Sequence, residues 1–129
     1  MHKLNPRTAA LLSAFGWAVG YLLAGKALAV LLPAAPGGAA RFFRVCLLAP
    51  LAEEGVFRGA VQRRAQPLGR GQAILLQAVL FAMQHRGPAG MAYALVCGLV
   101  LGTIRSRTGS VWPGMLLHTL NNLLVFAAG

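Results

Sequence analysis

At 129 residues the chain has room for one domain. Its residues are 57% apolar and only 11% charged, whereas a soluble domain usually carries about 25% charged residues; the chain is built for lipid rather than for water. Twelve Lys and Arg stand against two acids, a formal net charge of +10, but the bases punctuate apolar runs instead of clustering on one face, which argues against nucleic acid as a partner and for membrane lipid.

Five apolar segments follow one another, marked off by breakers. The first runs from about Thr8 to Leu32, is interrupted by Lys26 and is closed by the Pro33–Gly38 loop. Lys3 and Arg7 precede it as in a signal peptide, and Ala27-Leu28-Ala29 resembles a cleavage site. The run is longer than a usual signal core, however, and more hydrophobic segments follow, so it is read as a retained helix. The chain divides on this reading into an N-terminal transmembrane helix with its loop (1–40) and a core (41–129).

The second segment spans about Arg41 to Gln62 and ends at Arg63-Arg64. The third covers about Gln72 to Gln84 and stops at the His85–Pro88 turn. The fourth runs from about Ala89 to Ile104, ending in Arg105–Gly109, and the fifth from about Val111 onward with Pro113 near its start, where a helix tolerates proline. A helix needs about 20 apolar residues to cross the hydrocarbon core. The first, second and fifth segments meet that or nearly do; the third and fourth are short, so one of them is expected to tilt, kink or insert only in part. No segment shows the period-2 alternation of a barrel strand. The expected fold is all-α, a polytopic transmembrane helical bundle of four to five helices.

Gly16 and Gly20 form one GxxxG spacing and Gly98 and Gly102 another, both read as helix-packing sites. Cys46 and Cys97 lie isolated in Val- and Leu-rich stretches and read as small packing residues. The loop charges favour one orientation, with the N-terminus, the Arg63–Arg70 loop and the Arg105–Arg107 loop cytoplasmic and Arg41, Arg44 and Arg86 on the other side.

The polar residues inside the apolar segments carry the chemistry. The chain has no Asp, and its only acidic side chains are Glu53 and Glu54. Glu54 and Arg58 are i,i+4 and share a helix face, while Glu53 is offset by about 100° and has no obvious partner in its own segment. A charge at the centre of a spanning helix costs about 2.5–3.5 kcal/mol on insertion scales, so intramembrane ionisable residues are functional candidates. Phe81 and His85 share a face at the end of the third segment. His118 and Asn122 share one in the fifth, with Asn121 pointing elsewhere.

Packed together, an acid, two imidazoles and an amide provide a base for water and donors for an oxyanion, the parts needed for amide hydrolysis without a protein nucleophile. These residue types leave open whether Glu53 or Glu54 is the base. A Ser-His-Asp triad is impossible without Asp, and Ser13 and Ser110 sit in no GxSxG setting. A zinc site from Glu53, His85 and His118 is conceivable, although the HExxH signature is missing; no cofactor is expected.

Glu53-Glu54-Gly55-Val56-Phe57-Arg58 matches EExxxR, Phe81 to His85 matches FxxxH, and His118 to Asn122 matches HxxxN. In that order, on three separate apolar segments, they resemble the signature of the CPBP family, the CAAX proteases and bacteriocin-processing enzymes also called the ABI family. Ala49-Pro50, Phe57-Arg58-Gly59 and Thr108-Gly109-Ser110-Val111-Trp112-Pro113 agree with it, and the resemblance covers roughly Arg41 to Phe126. It implies a helical intramembrane endopeptidase that uses glutamate rather than metal. By position, Glu53 with His85 would activate the water, His118 and Asn122 would stabilise the oxyanion, and Glu54, Arg58 and Phe81 would support the site. The family usually carries more helices before the first motif than the one found here, and self-association into a homo-oligomer is one way to complete such a bundle.

The expected substrate is a peptide or membrane protein, and the Ala-, Leu- and Arg-rich composition points to the cell membrane of a bacterium. A non-catalytic immunity or partner-binding protein of the same family is the alternative. A small transporter or proton path is a third reading, unsupported by any repeated half-unit.

Overall fold

The structure, a computed structural model, describes residues 3–31 and 38–129. The expected Pro33–Gly38 loop therefore lies, apart from Gly38, outside the described residues. The rest is helical, with no strand among the described residues. Helix α1 is Pro6–Leu31. Helix α2 covers 38–64 as one continuous run, in which α-helical stretches alternate with two π-helical ones, Arg44–Leu48 and Glu54–Val61. A 3₁₀ turn, Gln66–Leu68, leads to α3 (Arg70–Ala82), followed by α4 (Gly87–Thr108) and α5 (Trp112–Ala128).

The first π turn has a local cause. Pro50 has no N–H to return to the preceding turn, and the Ala49 N–H bonds the carbonyl of Arg44 rather than that of Val45. The register thus slips by one residue just ahead of the proline. The second π stretch holds Glu54 and Arg58 and ends with the Gln62 N–H on the Phe57 carbonyl. π segments of this kind are frequent at functional sites.

Helix α4 is longer than the fourth apolar segment suggests. It starts at Gly87 with Pro88 in its first turn and continues through Arg105–Thr108 until Gly109, whose φ of 71° closes the helix in the left-handed conformation. Hydropathy marks where the chain stops being apolar, whereas the glycine marks where the helix stops. As a result α4, with α1, is long and apolar enough to cross a membrane. Helix α3, at 13 residues, is short as expected.

Burial runs opposite to that of a water-soluble bundle. Helix α1 buries Ala10, Ala14 and Ala18 while exposing Leu12, Phe15, Trp17, Leu23 and others. Helix α5 buries Gly114 and His118, and it leaves Leu116 at 72% and Leu124 at 64% exposed. Small and polar groups inside with large apolar ones outside is the arrangement expected in lipid.

Helices α3 and α4 form the most extensive pair. The glycine spacing in α4 explains the close approach: a Cβ on Gly98 would meet the Cα of Ala78 at 2.9 Å, and one on Gly102 would clash with Nε2 of Gln77. Both bare carbonyls are used as acceptors. Gln77 donates to the Gly98 carbonyl at 2.7 Å, and Gln62 of α2 donates to that of Gly102 at 2.9 Å. The GxxxG of α1 behaves differently. A Cβ on Gly16 or Gly20 would meet nothing, and both line an open groove of about 550 Å³.

The helix order brings the 65–69 and 109–111 connections to one end of the bundle. The N-terminal part of α1 is there too, since Arg64 donates to Oγ of Ser13 at 3.0 Å. Arg63, Arg64, Arg70, Arg105 and Arg107 thus share an end, with Arg41, Arg44 and Arg86 at the other.

Candidate active site

The core of the bundle is aromatic, and the polar residues are set around it. Tyr21, Phe57, Phe81 and His85 form a chain of edge-to-face contacts with centroids 5.5, 5.3 and 4.8 Å apart, and Phe81 also meets His118 at 5.8 Å. The Arg58 guanidinium lies over the Phe81 ring at 4.3 Å. Phe81 therefore touches both histidines and the arginine, which gives the first residue of FxxxH a packing role.

His118 stands between the two glutamates. Its Nδ1 is 3.0 Å from Oε1 of Glu54, and its Nε2 is 3.5 Å from Oε2 of Glu53. The carboxylates differ sharply in setting. Glu54 is fully buried, and its Oε1 is also 3.1 Å from Nη1 of Arg58, an ion pair without the alignment of a hydrogen bond. Glu53 remains 19% exposed, and its Oε1 accepts from the Tyr21 hydroxyl at 3.3 Å. Of the two acids, only Glu53 keeps exposed surface in the structure.

His85 is placed by its own helix end. Its Nδ1 donates to the Phe81 carbonyl at 3.0 Å, which fixes the tautomer and leaves Nε2 as an acceptor. The ring is close enough to Glu53 for the two to interact electrostatically, as do His118 and Arg58.

Asn122 is the outlier. It lies one turn beyond His118 on the same face of α5, yet it bonds neither glutamate nor histidine. Its amide donates to the Val45 carbonyl at 2.9 Å, the acceptor that the slipped register and Pro50 leave without a main-chain donor. Cys46 is buried beside it, its thiol 3.8 Å from the Asn122 carbonyl. Asn121 accepts from Tyr93 and donates to Oδ1 of Asn122 at 3.4 Å.

Four residues were not singled out by the sequence motifs. Tyr21 lies on the first helix, far from every motif, and nothing in the sequence pairs it with Glu53. Gly114 sits four residues before His118, and a Cβ there would come within 2.9 Å of Oε2 of Glu54; that spacing was a usable signal, since it puts the glycine on the face that approaches α2. Gln77 and Gln62 are polar residues in apolar helices and merited the same attention as the histidines.

Among the described residues no three His, Cys or Glu side chains are grouped to hold a metal ion. His118 separates the two carboxylates, so the three do not converge on one point.

The family model described as type II CAAX prenyl endopeptidase, Rce1-like, matches residues 35–124. No curated protein and no solved structure matches the chain. The matched stretch spans more than two thirds of the sequence and contains all three motifs, and the chain therefore belongs to the Rce1-like family of type II CAAX prenyl endopeptidases, which are membrane-integral proteins.

Proposed function

We propose that the chain is a multi-pass intramembrane endopeptidase that hydrolyses peptide bonds by glutamate- and histidine-activated water. The observation that carries this reading is the contrast between Glu54, locked between Arg58 and His118, and Glu53, which is partly open and held only by Tyr21 and His118. A water bound between Glu53 and Nε2 of His85 gives up a proton to this pair as its oxygen attacks the scissile carbonyl carbon. His118 Nε2–H meets the developing oxyanion, and the captured proton passes to the leaving amine. Asn122 has two amide protons; one goes to Val45, which leaves the second for the same oxyanion. Glu54, Arg58 and Phe81 hold these groups in place.

The substrate is a peptide or membrane protein that approaches from lipid, in the cell membrane of a bacterium. The apolar groove lined by Gly16, Gly20 and Tyr21 offers a path to Glu53. The other reading is a non-catalytic immunity or partner-binding protein of the same family. In its favour, Asn122 and His118 both make bonds that tie helices together.

One experiment separates them: purified chain in nanodiscs is incubated with a mixed membrane-peptide library, wild type beside Glu53→Gln, with and without chelator. Cleavage that survives the chelator and vanishes in an equally folded Glu53→Gln is the expected result. Absence of cleavage by well-folded wild type, or unchanged cleavage by the variant, overturns the proposal.

A further inference from the structure

Charge at one end of the bundle has no counterpart within the protein. The only acidic side chains are Glu53 and Glu54, and both are engaged with His118, Arg58 or Tyr21. Arg63, at the C-terminal end of α2, and Arg105, near the C-terminal end of α4, have no carboxylate left to pair with. Together with Arg58, Gln62, Gln66 and Ser106 they line a cavity of about 280 Å³ between the two helices.

Two of the lining residues, Arg58 and Arg105, carry buried donors without an acceptor among the described residues. Arg58 is fully buried, and among the described residues its Nε and Nη2 have no hydrogen-bond acceptor; nor does the buried Nε of Arg105. Buried guanidinium donors are rarely left without an acceptor, because their desolvation is uncompensated. The guanidiniums of Arg63 and Arg105 at one small space, with buried Arg58 behind them, suit a compact group with several acceptor oxygens, and the planar fork of arginine fits phosphate oxygens in pairs. Gln66 and Ser106 add neutral donors at the rim.

Position favours phosphate over other anions. The cavity lies at the end of the bundle that also carries Arg64, Arg70 and Arg107, where bases meet anionic headgroups. Neither glutamate lines the cavity, and Arg58 alone borders both it and the acidic pair.

We propose that this cavity is a phosphate-binding site, filled by the phosphate of a lipid headgroup or by free inorganic phosphate. It requires neither Glu53 nor a substrate and stands whether or not the chain is a hydrolase.

The test uses the full chain in neutral detergent. Inorganic phosphate is titrated in by calorimetry, and retention of phosphatidylglycerol is followed by native mass spectrometry. Both are repeated on the double variant Arg63→Gln/Arg105→Gln and on Arg41→Gln, which removes a base at the opposite end. The expected result is saturable binding of one phosphate or one phosphatidylglycerol per chain, weakened about tenfold or more in the double variant and unchanged in Arg41→Gln. Phosphate binding in lipid-free detergent identifies the free ion as ligand, and lipid retention alone identifies the headgroup. No saturable binding of either, equal binding by the double variant, or equal loss in Arg41→Gln overturns the proposal. If the double variant loses its helix content, Arg63→Lys/Arg105→Lys replaces it; keeping the charge but losing the fork, it is expected to weaken binding severalfold, and unchanged binding overturns the proposal equally.

Discussion

The hydroxyl of Tyr21 lies 3.3 Å from Oε1 of Glu53, so the first helix reaches the partly exposed carboxylate of the EExxxR motif. The ring of Tyr21 packs edge-on against Phe57 at 5.5 Å, which holds the hydroxyl in place through the aromatic core. Helix α1 precedes the matched family region and still contributes a group at the centre of the site.

Tyr21→Phe removes this hydroxyl and keeps the ring contact. A single hydrogen bond of about 1 kcal/mol translates into a fall in kcat of roughly five- to tenfold, with KM little changed and helix content intact. Steady-state kinetics on a cleaved peptide, with circular dichroism alongside, would check this; an unchanged kcat would remove Tyr21 from any positioning role.

Glu54 and Arg58 should behave as one structural unit. Glu54→Ala leaves the Arg58 charge fully buried without its 3.1 Å partner, and breaking a buried pair from one side costs about 3–5 kcal/mol. The double variant Glu54→Leu/Arg58→Met is expected to unfold later than Glu54→Ala in a titration with denaturing detergent. Strict additivity in the cycle would show that the pair is not coupled.

Asn122 is predicted to matter for stability as well as for rate. Asn122→Ala strands the Val45 carbonyl, at a cost of about 1–3 kcal/mol for a buried acceptor left unmade. Pro50→Ala restores an N–H in the preceding turn, so the loss should shrink in that background. Unfolding midpoints for the four members of this cycle measure the coupling. An equal loss in both backgrounds would disconnect Asn122 from the π turn.

The two GxxxG spacings should respond in opposite ways. Gly98→Ala drives a methyl to 2.9 Å from the Ala78 backbone, where overpacking costs about 1–3 kcal/mol. Gly16→Ala meets open space and gains helix propensity, worth at most about 1 kcal/mol. Thermal unfolding of the two variants in detergent would show a lower midpoint for the first and an equal or higher one for the second.

Much of this protein can be read without its structure, because charge in an apolar segment is conspicuous. Glu53, Glu54, Arg58, His85, His118 and Asn122 each interrupt a hydrophobic run, their i,i+4 spacings put them on shared helix faces, and their order carries the family signature. The helix count and the two-ended distribution of bases follow from the same hydropathy pattern. What a segment read by itself omits is the identity of its neighbours. Which glutamate is accessible depends on His118 and Arg58 closing over Glu54 and on Gly114 letting α5 come near. Tyr21 meets Glu53 across 32 positions and Asn122 meets Val45 across 77; neither separation has a periodicity to betray it. The helical rule assumes a uniform α register, and the two π stretches of α2 shift that register, the first just ahead of Pro50 and the second from Glu54 to Val61. The tertiary structure decided these pairings because a buried donor or carbonyl takes its partner from whichever helix packs beside it, and only the assembled bundle determines which helix that is.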